Sequence, residues 1–578
     1  MTAHDPADGR LPVVVFWHLH QPHYRDALSG QYVFPWTYLH AIKDYVDMAA
    51  HLEANPAARA VVNFTPVLIE QLEELALRVQ LHLEDGEPLP DAILALLSEA
   101  PLPTLPEQRL KLLRACLRAD RQNLIERYPV FAELALLAAQ LGTPEQIGYA
   151  SDQFLRDLAV WYHVAWLGET VRREDRRVAA LMEKGRAFDA ADRRVLLDLM
   201  GSLLSGVLPR YRALADSGRC ELAVSPYSHP ILPLLLDFRA AREREPASPL
   251  PQAPAYPGGA VRAAWHMQEA LRVFRRVFGR APRGCWPSEG AIDDASLQVI
   301  QDAGIEWIAS SSSVLRGALE ASGDAPGAGG QDVERQLNRA FTRGDGGLSC
   351  YFRHDEVSDL IGFTYSKWHG DDAAAHLVQQ LERLADRTEG EPGRLVLIAL
   401  DGENAWEYFP FNGYYFLNRM YAALATHPRL RLTTLSEHVD SQRSQGLAPR
   451  MLRRIPAGSW VHGNLSTWMG DRDKNAGWDL LCDAKHRFDE VIAAGSLTPF
   501  EAADAERQLA LCESSDWFWW FGDYNPPEAV RDFDQLFRHQ LSNLYHLLKL
   551  PPPAVLEERI SIGRGAPEAG GVMRRTND

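Results

Sequence analysis

Six short runs of apolar and β-branched residues, separated by long amphipathic segments, constrain the fold of this chain more than any other feature. The runs occupy residues 12–16, 60–64, 220–224, 283–286, 305–309 and 395–400. Runs of this length are typical of buried strands, and helical segments between them favour parallel strands joined by crossovers. The sequence therefore predicts an α/β fold.

Two regions of the chain carry a helical pattern without strand-like runs. Residues 67–215 are rich in Leu, Ala and Arg, which predicts a helical insertion, and the helical pattern returns from about residue 474. Between them, residues 261–279 place apolar side chains on one helix face, and Gly279 is positioned to end the helix. Composition predicts loops at 246–259, at 321–330 and after residue 562. We expect a catalytic domain at 1–440, a helical domain at 441–555 that contributes to the active site, and a flexible tail at 556–578.

Composition excludes several classes of partner. A net charge of −17 disfavours nucleic acid and anionic membranes, because both require a concentrated basic surface. No apolar stretch approaches the roughly 20 residues of a membrane-spanning helix. The first ten residues are polar, and the six scattered cysteines form no C-x-x-C pair, which predicts reduced thiols. We therefore expect a cytoplasmic protein without a disulfide framework, and neither a metal nor a cofactor is predicted.

Two acids follow strand-like runs in unusual surroundings. Glu289 ends the sequence Trp-Pro-Ser-Glu, and Asp401 follows a run of seven residues without another acid. Either acid alone could be a helix cap. Together they match what cleavage of a glycosidic bond needs, which is two carboxyl groups at one site. Glu289 and Asp401 are the predicted catalytic pair.

Other polar residues occur at or within the predicted strands. His18 and His20 are two residues apart at a strand end and so point to the same side. They could hydrogen bond to sugar hydroxyls or to a carboxylate, ligate a metal, or be structural. Glu221 in an apolar strand would be costly unless it lines a polar cavity. Glu403 could bind a sugar or raise the pKa of Asp401 by like-charge repulsion.

Aromatic residues cluster near the end of the chain. Every residue from 517 to 521 is aromatic, between Asp516 and Asp523, and the stretch 459–471 has the same character. Such density usually indicates core packing. The neighbouring acids favour a cavity wall instead, where aromatic faces stack on sugar rings.

Five motifs of this chain, taken in order, resemble the signature regions of glycoside hydrolase family 57. They are His18-Leu-His20-Gln-Pro22, Glu221 in its strand, Trp286-Pro-Ser-Glu289, Asp401-Gly-Glu403 and Asp516-Trp-Phe-Trp-Trp520. Residues 352–365 also resemble a segment of the amylopullulanase and α-amylase branch. The resemblance implies an incomplete (β/α)7 barrel followed by a helical bundle, acting on α-glucans with retention of anomeric configuration.

The resemblance implies Glu289 as nucleophile and Asp401 as general acid/base. The predicted substrate-binding or supporting residues are His18, His20, Glu221, Trp286, Glu403, Trp468, Asp516, Trp517 and Trp519. Three alternatives remain open: a 4-α-glucanotransferase or branching-type enzyme, a metal-dependent amidohydrolase or deacetylase using His18 and His20, and a non-catalytic glucan-binding protein.

Overall fold

A ten-stranded sheet forms the centre of the computed structural model, which describes residues 9–323, 333, 336–344 and 347–565. The strands are β1 (Leu11–Leu19), β2 (Ala60–Phe64), β3 (Cys220–Val224), β4 (Gly284–Cys285), β5 (Trp307–Ser311), β6 (Phe341–Arg343), β7 (Ser349–Arg353), β8 (Val396–Asp401), β9 (Leu430–Leu432) and β10 (Arg450–Leu452). Their order is β10-β6-β7-β5-β4-β3-β2-β1-β8, with β9 also paired to β1. All pairs are parallel except β6 with β7.

Seven of these strands follow the course of an incomplete barrel. Sheet order runs β8-β1-β2-β3-β4-β5-β7, and the two ends then approach each other. The His354 backbone N–H donates to the Leu397 carbonyl at 2.8 Å, and Arg353 Nη1 donates to the Ala399 carbonyl at 2.9 Å. No ladder pairs β7 with β8 in the described part of the chain, so the sheet is not closed. The predicted α/β class and barrel-like architecture are confirmed.

The predicted strands are all present. Two of them, 60–64 and 220–224, have the predicted limits, while β1 extends to Leu19 and β8 to Asp401. Both β1 and β8 are buried along almost their whole length. Parallel strands covered on both faces by helices require this continuous apolar character.

Helices surround the sheet and fill most of the predicted insertion. The α-helices are Trp36–His40, Val46–Ala54, Pro66–Asp85, Pro106–Ala115, Pro129–Ala139, Pro144–Ile147, Asp152–Trp166, Glu169–Glu174, Arg176–Lys184, Ala190–Asp216, Leu232–Leu236, Gly259–Phe278, Asp294–Asp302, Ser312–Ser322, Asp355–Asp359, Gly370–Arg387, Tyr414–Ala425, Leu435–Ser444, Arg472–Ala494, Pro499–Cys512, Asp516–Trp520 and Pro527–Leu547. The π-helices within the described residues are Ala41–Tyr45, Arg121–Ile125 and Leu360–Thr364. The 3-10 helices are Leu94–Leu97, Phe238–Arg242, Ser288–Gly290, Tyr365–Lys367, Trp406–Tyr408, Pro410–Gly413 and Ala554–Glu557.

The helix predicted at 261–279 is confirmed as Gly259–Phe278. It ends where expected, because Gly279 adopts a φ of 69°, in the left-handed region that favours glycine. The predicted loop at 246–259 contains neither helix nor strand up to residue 258. Most of the predicted loop at 321–330, and the tail from residue 566, lie outside the described residues.

The C-terminal helices pack onto the barrel through a buried ion network. Arg262 Nε donates to Glu513 Oε1 at 2.8 Å, and His266 Nε2 lies 2.7 Å from Glu513 Oε2. The network fixes the helical region against helix Gly259–Phe278. Strand β10 pairs with β6 and lies past residue 440, so the sheet continues beyond the predicted domain limit. The domain limits themselves stay a prediction.

All six cysteines are buried free thiols. Within the described ranges, no helix combines the length and the apolar character that a membrane crossing requires.

Candidate active site

A cavity of about 1690 Å³ lies at the carboxyl ends of the central strands. It is lined by His18 and His20 from the end of β1, by Asp401 from the end of β8, and by His229 and Glu289 from the loops after β3 and β4. The carboxyl ends of parallel strands share one edge of a sheet, which is where ligands bind in α/β folds. Both predicted catalytic acids therefore line the same cavity.

Strand register places His18 between two polar neighbours. It pairs with Asn63 on β2 and with Asp401 on β8. Its Nδ1 lies 2.5 Å from Asn63 Oδ1. Burial, followed by the nearby His20, lowers the pKa of His18 to about 3. The ring is therefore neutral near pH 7, and with the proton on Nδ1 its Nε2 is an acceptor.

Asp401 has the properties of a proton donor. Burial raises the pKa of its carboxyl to about 6, although Asn404, His20 and Arg353 oppose the shift. Asn404 Nδ2 donates to Oδ2 at 2.8 Å. The prediction assigned part of this shift to repulsion by Glu403. Instead, Glu403 itself has a pKa raised well above its ordinary value, by burial first and then by the charge of Asp401.

Glu289 occupies an unusual backbone conformation. It lies in the turn Ser288–Gly290 with a φ of 58°, in the left-handed region. This conformation costs a non-glycine residue about 1–3 kcal/mol and is concentrated at functional sites. Trp460 Nε1 donates to Oε2 at 2.8 Å, and His229 Nδ1 lies 3.8 Å from Oε1. The turn thus presents the carboxylate to the cavity beside the indole donor of Trp460.

The helical C-terminal region contributes Asp516 to the cavity. His20 Nε2 lies 2.9 Å from Asp516 Oδ1, and His20 Nδ1 lies 3.0 Å from Thr65 Oγ1. Ser514 Oγ donates to Asp516 Oδ2 at 2.6 Å. The carboxylate favours a proton on Nε2 of His20, so that Nδ1 accepts from the threonine hydroxyl. This pairing crosses between the barrel and the C-terminal helices.

Three imidazoles form a stack in the cavity. The ring centroids are 5.9 Å apart for His18 and His20, 5.1 Å for His18 and His229, and 4.1 Å for His20 and His229, with planes within 23° of parallel. In the described part of the chain, His20, His229 and Asp516 are the group whose ligand atoms are close enough to hold a metal ion. An imidazole lone pair lies in the plane of its ring, and two stacked planes do not converge on one ion. The arrangement suits hydrogen bonding better than ligation.

Glu221 does not line the cavity. It is the second residue of β3, three residues before the strand ends, and its carboxylate accepts from Ser436 N and Trp307 Nε1, both at 2.9 Å. The Ser436 hydroxyl also donates to it. These contacts join β3 to helix Leu435–Ser444 and compensate the buried charge. Of the two predicted roles, substrate binding and support, these contacts favour support, because Glu221 does not reach the cavity.

The predicted aromatic residues divide into two groups. Trp519 lines the cavity. Trp286, Trp468 and Trp517 are fully buried and do not line it. Trp286 packs against Phe16 at 5.3 Å between ring centroids, and has no exposed face for a sugar. For these three residues, core packing replaces the predicted stacking role.

Several cavity residues were not among the predicted site residues. Trp460 lies in the aromatic stretch 459–471 and His229 in the loop after β3, and only their spatial neighbours identify them as site residues. Arg353 is buried at the end of β7, pairs with Asp355 at 2.7 Å, and lies 5.2 Å from the Trp460 ring. The sequence feature that could have identified Arg353 is its position at the end of an apolar run, within the segment 352–365.

The sequence of this chain matches a known protein family. The family model described as "Glycosyl hydrolase family 57" matches residues 14–456. No curated protein matches the chain.

Solved structures of similar fold cover almost the whole chain. A branching enzyme of Thermococcus kodakaraensis has a TM-score of 0.58 and 15% identity, with 93% of this chain and 90% of that chain covered. A branching enzyme of Pyrococcus horikoshii has a TM-score of 0.57 and 15% identity, with 98% of this chain and 99% of that chain covered. The alpha-amylase AmyC of Thermotoga maritima has a TM-score of 0.55 and 13% identity, with 93% of this chain and 94% of that chain covered. At this level of identity the likeness establishes the shared fold.

Proposed function

The chain belongs to glycosyl hydrolase family 57, and from this premise we propose that it cleaves glycosidic bonds of α-glucans with retention, using Glu289 as nucleophile and Asp401 as acid/base. The observation that carries the proposal is the pair of unlike carboxyl groups in one cavity. Burial raises the pKa of Asp401 to about 6, whereas Glu289 accepts a hydrogen bond from the Trp460 indole. Acids in unlike environments take unlike roles.

In the first step, Asp401 donates its proton to the glycosidic oxygen while a Glu289 oxygen attacks the anomeric carbon. The bond between that carbon and the glycosidic oxygen breaks, and a glycosyl-enzyme ester forms as the shortened glucan leaves. In the second step, Asp401 removes a proton from an incoming hydroxyl, which attacks the anomeric carbon and releases Glu289. Two inversions give retention.

The surrounding groups suit an uncharged sugar. His18 Nε2 offers an acceptor, and Asn404 and Asp516 offer further hydrogen-bonding groups in the cavity. Trp519 and Trp520 provide aromatic surface. The names branching enzyme and alpha-amylase, borne by structures of the same fold, agree with an α-glucan substrate.

Transfer to a second glucan, as in a 4-α-glucanotransferase or a branching enzyme, is the second candidate. The cavity has room for an acceptor chain beside the donor, because about 1690 Å³ exceeds the 300–1,000 Å³ of common ligand pockets. A sugar hydroxyl would then replace water in the second step, with the same two acids.

Incubation with maltoheptaose, followed by chromatographic separation of the products, tests the proposal. Shorter sugars alone indicate hydrolysis, and a ladder that includes longer sugars indicates transfer. Glu289→Gln should reduce turnover by at least a thousandfold and still bind maltoheptaose. Absence of any product with the wild-type protein, or full activity of Glu289→Gln, would overturn the proposal.

A further inference from the structure

The cavity extends beyond the catalytic acids into a region that the proposed reaction does not use. We call this region the distal lobe. Its lining comprises Trp36, His40, Asp120, Trp166, Glu407 and Tyr408. These residues come from the short helix Trp36–His40, from the helical insertion, and from the loop after Asp401. The insertion predicted from the sequence therefore helps to enclose the cavity.

His40 is held in one orientation by buried charges. Its Nδ1 lies 2.7 Å from Asp44 Oδ2, and Lys43 Nζ donates to Asp44 Oδ1 at 2.6 Å. Lys43 and Asp44 are both completely buried. They lie in the π-helix Ala41–Tyr45, and such π-helical turns are frequent at functional sites. The Asp44 carboxylate fixes the proton on Nδ1, so Nε2 is an acceptor, and the ring packs edge-on against Trp166.

The charges of the lobe disfavour an anionic ligand. Glu407 and Asp120 both line it, and Glu407 Oε1 accepts from the Asp120 backbone N–H at 2.9 Å. The nearby cation Arg118 pairs with Asp532 at 2.6 Å. A neutral ligand with many hydroxyl groups fits these acceptors better than a phosphate or a carboxylate.

Aromatic rings connect the catalytic end of the cavity to the lobe. Trp520 stacks on Phe533 with centroids 4.9 Å apart, and Phe533 stacks on Phe34 at 6.3 Å. Two residues further along the chain, Trp36 contacts Trp166 at 5.9 Å. All five rings line the cavity. The stacked rings cover one another's faces and Trp166 is fully buried, so the half-buried Trp36 is the tryptophan of this row with surface left for a sugar ring.

We propose that the distal lobe binds glucosyl units of a long α-glucan chain away from the bond that is cleaved, with His40 Nε2 accepting a sugar hydroxyl and Trp36 offering a stacking face. This inference rests on the proposed function and adds the region that selects long chains. Binding energy from remote units is then used at the reacting bond, so short substrates react more slowly.

Chain-length dependence tests the lobe directly. We would measure kcat/KM for maltoheptaose and for maltotriose, and compare their ratio among the wild type, His40→Ala and Trp36→Ala. One lost hydrogen bond or stacking contact corresponds to a three- to tenfold fall in the ratio. The controls lie at exposed positions outside the cavity: His486→Ala matches His40→Ala in residue type, and Tyr149→Ala removes another large aromatic ring. A ratio within twofold of wild type for both lobe variants would overturn the inference.

A binding measurement separates this inference from the proposed reaction. Titration calorimetry with maltoheptaose would use Glu289→Gln, alone and combined with His40→Ala or Trp36→Ala. If the wild type converts no glucan, yet the lobe substitutions weaken maltoheptaose binding three- to tenfold, the reaction is wrong and the lobe assignment stands. If Glu289→Gln does not bind maltoheptaose, the lobe assignment is contradicted. Trp36 is half-buried, so Trp36→Ala retains the test if His40→Ala fails to fold.

Discussion

The Trp460 indole N–H donates a 2.8 Å hydrogen bond to Glu289 Oε2, across 171 positions of sequence. The Trp460 backbone N–H also donates to the Glu289 carbonyl at 3.0 Å. The loop after β10 therefore fixes both the backbone and the carboxylate of the turn that presents Glu289. Two contacts from one residue help to maintain the left-handed conformation of the turn, which would otherwise be unfavourable.

Replacing Trp460 by Phe should lower kcat on maltoheptaose by roughly ten- to a hundredfold. The ring remains, but a hydrogen bond to a charged group, worth about 1.5–3 kcal/mol, is lost. Because the donor stabilises ionised Glu289, the acid limb of the kcat/KM profile should move to higher pH. The control is Trp265→Phe, outside the cavity. An unchanged acid limb would argue against the contact as a catalytic determinant.

The activity should fall above about pH 6. Asp401 must be protonated in the first step, and burial raises its pKa to about 6. The alkaline limb of kcat/KM should therefore fall tenfold per pH unit above that value. Asp401→Asn should lose at least a hundredfold on maltoheptaose and far less on a nitrophenyl α-glucoside oligomer, whose leaving group needs no proton. Equal losses on both substrates would contradict the assignment of Asp401.

Asp401 should also make stability depend on pH. Its pKa is about 6 in the folded protein and 3.8 in the unfolded chain, so the unfolded chain binds fewer protons between these values. The free energy of unfolding therefore decreases as pH rises from about 4 to 6, by about 3 kcal/mol in total. Denaturant titrations at pH 4.5 and 7.5 should show Asp401→Asn stabilised relative to wild type only at the higher pH. If Asp401→Asn and the wild type differ by the same free energy of unfolding at both pH values, burial does not disfavour the ionised form of Asp401.

The elements that depend on local sequence could be predicted. Short apolar runs predicted β1 to β5 and β8, although the buried strand β7 was not predicted. Gly279 ends its helix as expected, because such features follow from neighbouring residues. His18, Glu289 and Asp401 were predicted at one site for a related reason. Each is at or just after a strand end, and parallel strands bring those ends to one edge.

The remaining site residues depend on tertiary packing that no local pattern reveals. Glu221 lies within a strand rather than at its end, and its direction is set by Ser436, 215 residues away. Trp517 and Trp519 are two positions apart in one helix, yet only Trp519 reaches the cavity. Which of several adjacent aromatic rings faces a ligand is decided by the helices that cover the others.

Chelating agents should leave the activity unchanged. The imidazole planes of His20 and His229 are within 23° of parallel at 4.1 Å, so their lone pairs do not meet at one ion. We expect dialysis against EDTA to change kcat on maltoheptaose by less than twofold, and elemental analysis to find less than 0.1 zinc per chain. A loss of activity that zinc restores would instead favour the deacetylase-like alternative.

Glu403 should act as a neutral acid, and substitution by Gln tests this directly. One oxygen, Oε1, accepts from His20 N at 3.0 Å, Tyr45 OH at 3.2 Å and Gln21 Nε2 at 3.3 Å. The other oxygen is buried without a partner in the described part of the chain. Burial and the charge of Asp401 raise the pKa of Glu403 well above its ordinary value, which favours the protonated form of this side chain.

An amide reproduces this neutral arrangement, with its oxygen as the shared acceptor and its NH₂ in place of the protonated oxygen. Glu403→Gln should therefore keep kcat within about threefold of wild type. Glu403→Leu, of similar volume, should lose at least tenfold, because the donors of His20, Gln21 and Tyr45 lose their acceptor, at about 1–3 kcal/mol for each buried group left unpaired. Kinetics on maltoheptaose from pH 5 to 8 decide the matter. If Glu403→Gln is as impaired as Glu403→Leu across that range, the site needs a negative charge at position 403, and Glu403 is ionised.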